Sequence, residues 1–381
     1  MGDGYDPFSP EVLAEPSCPY AFLHGEAPVH RYPDFDPPFY TLSRYKDVEA
    51  GLRDIATFSS EFGQGPRFTP PRGMLSDPPQ HTFFRGLVQQ SFTNKAMLAL
   101  APRVAEIADE LLAARSPDSW DLHDDFAFPL PVIVIAEVLG VPKEDLNLFK
   151  KWSDSSVAAM GAKDPTPYQA DQADMGQYLL REIADRRKMP REDLISALVA
   201  AKDGDRGLDD MEILGVVNQL LVGGNETTTS LITNMVWRLL ERPELWERLR
   251  NDPDLVETAV EESLRYDPPV LGLFRNSTKD VALHGETIPA ESKVFMLYAA
   301  ANRDASEFPE PDAFSLDRPH HRHLSFGLGV HFCLGAPLAR LEAQTALRAL
   351  LTHAPEIELV SAGDRITPFF LWGRKHLPVR G

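Results

Sequence analysis

The sequence predicts a mainly α-helical fold with a small β region, arranged as one large domain of residues 1–381 around a long central helix. Three observations favour this fold. Apolar residues recur at helical spacing in the stretch between residues 94 and 202. Residues 209–241 are apolar on nearly every side, which is typical of a helix buried through the centre of a domain. Short β-like runs occur within residues 29–42 and 281–298.

The individual elements follow in chain order. Two β-like runs at 29–32 and 39–42 flank a proline-rich turn and precede a short helix at 45–52. Residues 58–80 are rich in Gly and Pro, and an irregular segment of this length is typical of a lid or of disorder. Helices are predicted next at 94–112, 126–140, 143–161, 168–188, 191–202, 209–241 and 254–266. Strands at 281–283 and 294–298 follow, then a helix from 335 to 353 and a last strand or hairpin at 366–372.

The bulk composition excludes several classes of protein. The net charge is −19, from 57 acidic and 38 basic residues, so the surface repels nucleic acid and anionic lipid. The two cysteines, Cys18 and Cys333, form no disulfide framework and fit a reducing cytoplasm. The N-terminus has no signal-peptide pattern, and no stretch of about 18 apolar residues occurs. We therefore expect a cytoplasmic protein without a membrane span.

The loop from Phe326 to Gly335 places a cysteine between a glycine-rich turn and a predicted helix. Gly327 and Gly329 permit positive φ and leave room for a backbone to pass close to a flat cofactor. Cys333 stands just before the helix N-terminus, where free amides and the helix dipole are expected to lower its thiol pKa. Such a thiolate suits a soft, redox-active metal. The alternative is that Cys333 is a small buried apolar residue.

The centre of the long helix is locally unfavourable. Two glycines, Gly223 and Gly224, and the threonines at 227–229 all have poor helix propensity. The pattern predicts a local opening or bulge with a functional purpose. The alternative is that Thr227 bonds the carbonyl of Gly223 one turn earlier, while Glu226 forms a surface ion pair.

The loop Phe-Gly-Leu-Gly-Val-His-Phe-Cys-Leu-Gly closely resembles the heme-binding loop of the cytochrome P450 family, and the likeness extends from residue 77 to about residue 349. The resemblance implies the cytochrome P450 fold and heme b, with Cys333 as the axial iron ligand. It implies cofactor contacts from Phe326, Gly335 and Gly223. Glu226 and Thr227 match the family's acid–alcohol pair, which implies that Thr227 hydrogen-bonds dioxygen and Glu226 delivers protons.

The resemblance also implies which side chains hold the heme propionates. Arginine and histidine suit such carboxylates as cationic hydrogen-bond donors. The positions that match are His81, Arg85, Arg275 and His331, with His323 as a weaker candidate.

Glu262 and Arg265 match the family's structural ion pair and lie three residues apart on one helix face. The family often adds an arginine before a nearby phenylalanine, but this chain has Ala313 there. Arg318 and Arg303 are the two candidates to replace it.

The activity implied by the resemblance is a monooxygenase that inserts one oxygen atom from O2 into an apolar small molecule, by hydroxylation or O-dealkylation. Electrons would come from a separate ferredoxin or flavodoxin with an NAD(P)H-dependent reductase, and Arg340 is a candidate docking residue. Two alternatives stay open: a peroxide-driven peroxygenase, which the acid–alcohol pair argues against, and a heme protein that binds a ligand without turnover. A zinc site built from Cys333 and nearby histidines, at 320, 321, 323 and 331, fits no usual ligand spacing.

The substrate pocket is expected to be lined by residues 58–80, 220–224, 270–274 and 369–372. These segments are rich in phenylalanine and favour an apolar or aromatic guest. The alternative is that their aromatic residues are ordinary core residues.

Overall fold

The structure, a computed structural model, describes residues 4–69, 73–89, 92–116, 119–162, 164–203 and 206–381. The helices are α1 (Pro10–Ala14), α2 (Tyr20–Gly25), α3 (Tyr45–Arg53), α4 (Gln80–Gln89), α5 (Asn94–Ala114), α6 (Pro129–Leu139), α7 (Leu146–Gly161), α8 (Gln169–Lys188), α9 (Leu194–Ala200), α10 (Asp210–Leu240), α11 (Pro243–Asn251), α12 (Val256–Tyr266), α13 (Tyr298–Ala301) and α14 (Ala336–His353). The strands are β1 (Val29–Tyr32), β2 (Phe39–Leu42), β3 (Phe58–Ser59), β4 (Trp120–Asp121), β5 (Lys202–Asp203), β6 (Arg206–Gly207), β7 (Leu273–Ser277), β8 (Val281–Leu283), β9 (Glu286–Ile288), β10 (Lys293–Met296), β11 (Glu358–Leu359) and β12 (Pro378–Arg380). The predicted mainly helical fold with a small β region is confirmed.

The central helix α10 begins at a capping box, in which Asp209 accepts from the amide of Glu212 and Glu212 accepts from the amide of Asp209. It packs against α6, α7, α8, α9, α11, α12 and α14, and nearly all of its second half is buried. The predicted local opening is wrong, because α10 is a continuous α-helix. Thr227 Oγ1 donates to the carbonyl of Gly223 at 2.7 Å, so the hydroxyl has a hydrogen-bond partner one turn earlier and the helix stays unbroken.

One sheet holds the β region together, with strand order β1-β2-β10-β7-β3. β10 pairs parallel to β2 and antiparallel to β7, which places Val294 opposite both Tyr40 and Arg275. The sheet therefore fixes the position of Arg275. No helix among the described residues is long and apolar enough to cross a membrane.

Two predicted segments differ in the structure. Residues 366–372 form no regular strand, but an isolated antiparallel bridge joins Arg365 to Arg374 around them, as in a hairpin, and a second bridge joins Leu371 to Val270. The Arg365 side chain donates to the carbonyls of Pro368 and Leu371 and so ties the segment together. The predicted irregular segment 58–80 starts with β3, which extends the main sheet, and its residues 70–72 lie outside the described ranges.

Candidate active site

The cysteine loop is held in a shape that needs glycine. Gly327 and Gly329 have φ of +67° and +73°, in the left-handed region. A Cβ on Gly329 would also lie 2.9 Å from the carbonyl oxygen of Leu52, so a side chain there would force the backbone apart. The amide of Cys333 donates to the carbonyl of Phe326 at 2.8 Å and closes the loop directly before α14.

Cys333 is solvent-accessible, although protein atoms surround it on most sides. It is therefore not the fully buried apolar residue of the alternative interpretation. Burial raises the pKa of the thiol overall, and the amides of Gly335 and Ala336 together with Arg85 act in the opposite direction. The expected net lowering of the thiol pKa is thus wrong in the structure, because desolvation outweighs the helix N-terminus.

The backbone of α10 is exposed at Gly223, near the middle of the helix. Gly223 is exposed, whereas Leu221, Asn225 and Glu226 around it are buried. A Cβ built on Gly223 would meet no atom within 4 Å. This helix therefore presents bare backbone to open space at the position where the sequence predicts a cofactor contact.

Four predicted cationic residues come together in what we call the cation cluster: His81 and Arg85 on α4, Arg275 on β7, and His331. The rings of His81 and His331 are 4.3 Å apart between centroids, and His331 Nε2 lies 3.4 Å from Asp77 Oδ1. Burial, His331 and Arg85 together lower the pKa of His81 to about 4. Burial also lowers the pKa of Arg85. Burial and mutual repulsion therefore destabilise positive charge on these side chains. A bound anionic group would relieve that repulsion, so the cluster is suited to one.

Two nitrogens of the cation cluster point to the same conclusion. Arg275 Nε and His81 Nδ1 are buried and have no hydrogen-bond partner among the described residues. Buried polar atoms normally have one, so the unpartnered N–H of Arg275, and that of His81 in the tautomer protonated at Nδ1, indicate a missing acceptor. A ligand carrying carboxylates supplies acceptors of the right kind.

His323 and Arg340 have other partners. His323 Nε2 lies 3.1 Å from Glu261 Oε2, and the Arg340 guanidinium contacts the same carboxylate at 2.6 and 2.9 Å. Burial raises the pKa of Glu261, but hydrogen bonds from Arg340 and His323 outweigh it and bring the value to about 2. The structure therefore places His323 in an ion-pair network with Arg340 and gives it no contact with the cation cluster.

The predicted acid of the central helix is buried. Glu226 is 4% exposed, so the surface-pair alternative is wrong for it. Burial and then Asp154 raise its pKa to about 7, while Lys150 and Ser230 act in the opposite direction. Glu226 therefore holds a proton near neutral pH and can give it up.

The missing arginine near Ala313 is supplied by Arg318. Its Nε donates to both oxygens of Glu262 at 3.0 and 3.1 Å. Arg265 donates to the same carboxylate at 2.8 and 2.9 Å. Arg303 binds Asp312 and the carbonyl of Tyr266 instead.

Sequence reasoning missed a buried lysine beside the cation cluster. Lys293, on β10, donates to the carbonyls of Phe62 and Gly63 at 2.9 and 3.2 Å, and so fastens the segment after β3 to the sheet. Burial and then Arg275 lower its pKa to about 7. A lysine at the start of an apolar strand was the only signal in the sequence.

Sequence reasoning also missed Glu342, a buried carboxyl on α14 whose two oxygens have no hydrogen-bond partner among the described residues. Burial raises its pKa to about 8. Glu342 lies four residues from Leu338 and four from Ala346, both buried, so an acid within an apolar helical stripe was the available signal.

Replacing Glu342 by glutamine is expected to remove a pH dependence of stability. The folded-state pKa lies above the ordinary value of 4.5. Glu342 therefore contributes fully to the free energy of unfolding below pH 4.5, and this contribution is lost as pH rises towards 8, by up to about 5 kcal/mol. Urea denaturation of both proteins between pH 5 and pH 9 measures the difference. The exposed Glu286→Gln is the control, and equal pH slopes for wild type and Glu342→Gln would contradict the prediction.

Comparison with known proteins identifies the family. A family model described as Cytochrome P450 matches residues 168–354. The chain is 40% identical to Cytochrome P450 109 of Bacillus spizizenii, over 95% of this chain and 90% of that protein. It is 41% identical to the cytochrome P450 monooxygenase PikC of Streptomyces venezuelae, over 97% and 92%. The structure of CYP109E1 from Bacillus megaterium in complex with testosterone matches with a TM-score of 0.89 and 35% identity, over 97% of this chain and 98% of that one. The chain therefore belongs to the cytochrome P450 family of monooxygenases.

Proposed function

We propose that residues 1–381 act as one heme-thiolate domain that inserts one oxygen atom from O2 into an apolar small molecule. The observation that carries the proposal is the pairing of an accessible cysteine sulfur with a cation cluster whose buried donors lack acceptors. Heme b fits both, since it offers an iron for the thiolate and two propionates for the cations. Phe326 and Gly335 flank Cys333 in the loop, and Gly223 leaves space on α10.

Cys333 would be the axial ligand, and His81, Arg85, Arg275 and His331 would hold the propionates. When bound, a thiolate-ligated heme supplies the activation of dioxygen. The protein's own part is to supply protons and to hold the substrate. Glu226 is buried and titrates near neutrality, so it is proposed as the proton donor. The Thr227 hydroxyl donates its hydrogen bond to the carbonyl of Gly223, so its oxygen remains able to accept another hydrogen bond.

The substrate is proposed to be apolar. Leu220, Val222 and Val270 are only partly buried and remain available to line a pocket. Phe274 and Phe369 are core residues instead, because they pack with Phe39 and Phe295 in a closed aromatic cluster. CYP109E1, the relative solved with testosterone, binds a molecule of this class.

Electrons are proposed to come from a separate ferredoxin or flavodoxin with an NAD(P)H-dependent reductase, in the cytoplasm. Arg340 remains the candidate docking residue, with part of its side chain exposed beside Glu261. Arg340→Glu is expected to slow reduction by such a partner at low salt, where opposite charges steer association.

Spectroscopy of the purified protein tests the cofactor directly. The protein should be red, and its reduced carbon monoxide adduct should show the far-red-shifted Soret band of thiolate ligation. A colourless protein would overturn the proposal. A library screen for displacement of the iron-bound water, seen as a blue shift of the heme band, would then identify substrates.

Thr227→Ala is expected to divert reducing equivalents from product to hydrogen peroxide. Removing a group that positions proton transfer typically costs 10²-fold or more, so the ratio of product to NAD(P)H consumed should fall at least about tenfold. A substrate from the screen and surrogate redox partners allow the measurement. Thr352→Ala is the control, because Thr352 makes the same bond to a carbonyl one turn earlier, but on the exposed face of α14. Unchanged coupling in Thr227→Ala would refute the assigned role.

A further inference from the structure

Two arginines stand opposite each other at the base of the C-terminal hairpin. An isolated antiparallel bridge joins Arg365 to Arg374, and its backbone hydrogen bonds flank the two residues without joining them to each other. In such a non-hydrogen-bonded pair the two side chains lie on the same face of the ribbon and close together. Because like charges directly opposite each other are destabilising, this pair favours a compensating negative charge.

Two tryptophan rings hold the arginine pair against the central helix, and we call these four residues the arginine–tryptophan cluster. The guanidinium carbon of Arg374 lies 3.8 Å from the ring centroid of Trp237 on α10 and 4.5 Å from that of Trp372. The guanidinium carbon of Arg365 lies over the same Trp372 ring, at 5.5 Å. Arg374 is only 6% exposed, whereas Arg365 is partly buried, so solvent reaches the cluster from the side of Arg365.

Five buried nitrogens of the arginine–tryptophan cluster have no hydrogen-bond acceptor among the described residues. They are Arg365 Nε, Arg374 Nε and Nη2, and the Nε1 atoms of Trp237 and Trp372. All five can only donate, because arginine stays protonated and an indole N–H has no acceptor capacity. Buried donors normally have acceptors, so five of them in one cluster indicate a ligand that supplies several.

The acidic groups near the cluster are paired with another arginine. Three carboxylates favour the charged form of Arg374, and they belong to Glu15, Glu241 and Asp267. Each of these three forms a salt bridge with Arg238. Burial and then Arg238 lower the pKa of Arg374 to about 10, and burial and then Arg374 lower that of Arg365 to about 10. Both guanidinium groups therefore remain charged at neutral pH, while the neighbouring carboxylates are bound elsewhere.

We propose that the arginine–tryptophan cluster binds a small oxyanion, either inorganic phosphate or the carboxylate of a small organic acid. The planar fork of arginine suits both kinds of oxygen acceptor, and the anion offsets the repulsion between Arg365 and Arg374. The site goes beyond the proposed function and does not depend on the heme. Leu371, within the same hairpin, bridges to Val270, so the bound anion steadies a segment that is expected to line the substrate pocket.

Equilibrium dialysis of the purified holoprotein against radiolabelled inorganic phosphate tests the site. Arg374→Gln should weaken phosphate binding at least about tenfold, the effect of losing one hydrogen bond to a charged group. Arg365→Gln should weaken it in the same way, and it provides the test if Arg374→Gln does not fold. Unlabelled acetate and sulfate separate the two ligand sources. Displacement by acetate supports a carboxylate ligand, displacement by sulfate alone supports a tetrahedral oxyanion, and either result supports the site.

Arg380→Gln is the matched control, because it removes an exposed arginine of the same C-terminal segment. It should leave phosphate binding unchanged. Phosphate bound at the cation cluster would not respond to changes in the hairpin, so only the binding that Arg374→Gln or Arg365→Gln loses is counted. The inference is wrong if the wild type binds no phosphate at millimolar concentration, or if both hairpin variants bind it as tightly as the wild type.

Discussion

Replacing Cys333 by serine is expected to abolish oxygen insertion while leaving the fold intact. A serine hydroxyl does not ionise near neutral pH and cannot supply the electron-rich sulfur that the proposed chemistry needs. Turnover should fall at least about a thousandfold, which corresponds to roughly 4 kcal/mol in activation free energy. Stability should change little, because Cys333 is solvent-accessible and contributes little buried area. Product formation with surrogate redox partners, and the carbon monoxide difference spectrum, measure the effect.

Cys18→Ser is the matched control, since Cys18 is the other free cysteine and is also exposed. It should keep both the activity and the spectrum. If Cys333→Ser retained the far-red-shifted Soret band, the assignment of Cys333 as the axial ligand would be wrong.

Replacing Arg265 by alanine is expected to cost about 3–5 kcal/mol of unfolding free energy, the typical effect of breaking a buried ion pair. Arg265 binds the buried Glu262 through two nitrogens. It also donates to the carbonyls of Asn302, Pro311 and Ala313, which would lose this donor. The change therefore weakens the pairing of a buried carboxylate and leaves three acceptors without this partner.

Urea denaturation at pH 7 measures this loss, with Arg348→Ala as the control. Arg348 is on α14 and donates to the carbonyl of Pro253 in an exposed contact, so its loss should cost less than about 1 kcal/mol. Arg318→Ala should lie between the two, because Arg318 is the second partner of Glu262. Equal midpoints for Arg265→Ala and Arg348→Ala would contradict the structural role.

Features with local causes could be predicted from the sequence. The strands at 29–32 and 39–42 and the end of α14 at His353 occur where they were predicted, because alternation, turn residues and helix periodicity act over a few positions. The cysteine loop was equally clear, since Gly327 and Gly329 are needed for backbone with positive φ. The predicted opening at Gly223–Gly224 is wrong because packing of α10 on seven other helices outweighs its poor local propensity.

The sequence by itself determined the family, the mainly helical fold and the identity of the candidate ligand Cys333, because a short motif with fixed spacing carries that information. Only the tertiary structure decided that Arg318 completes the pairing of Glu262 across 56 residues, and that His323 and Arg340 share Glu261. Only it decided that Glu226 is buried, which raises its pKa to about 7. The physical reason is that protonation depends on burial and on charges brought near through space, neither of which follows from distance along the chain.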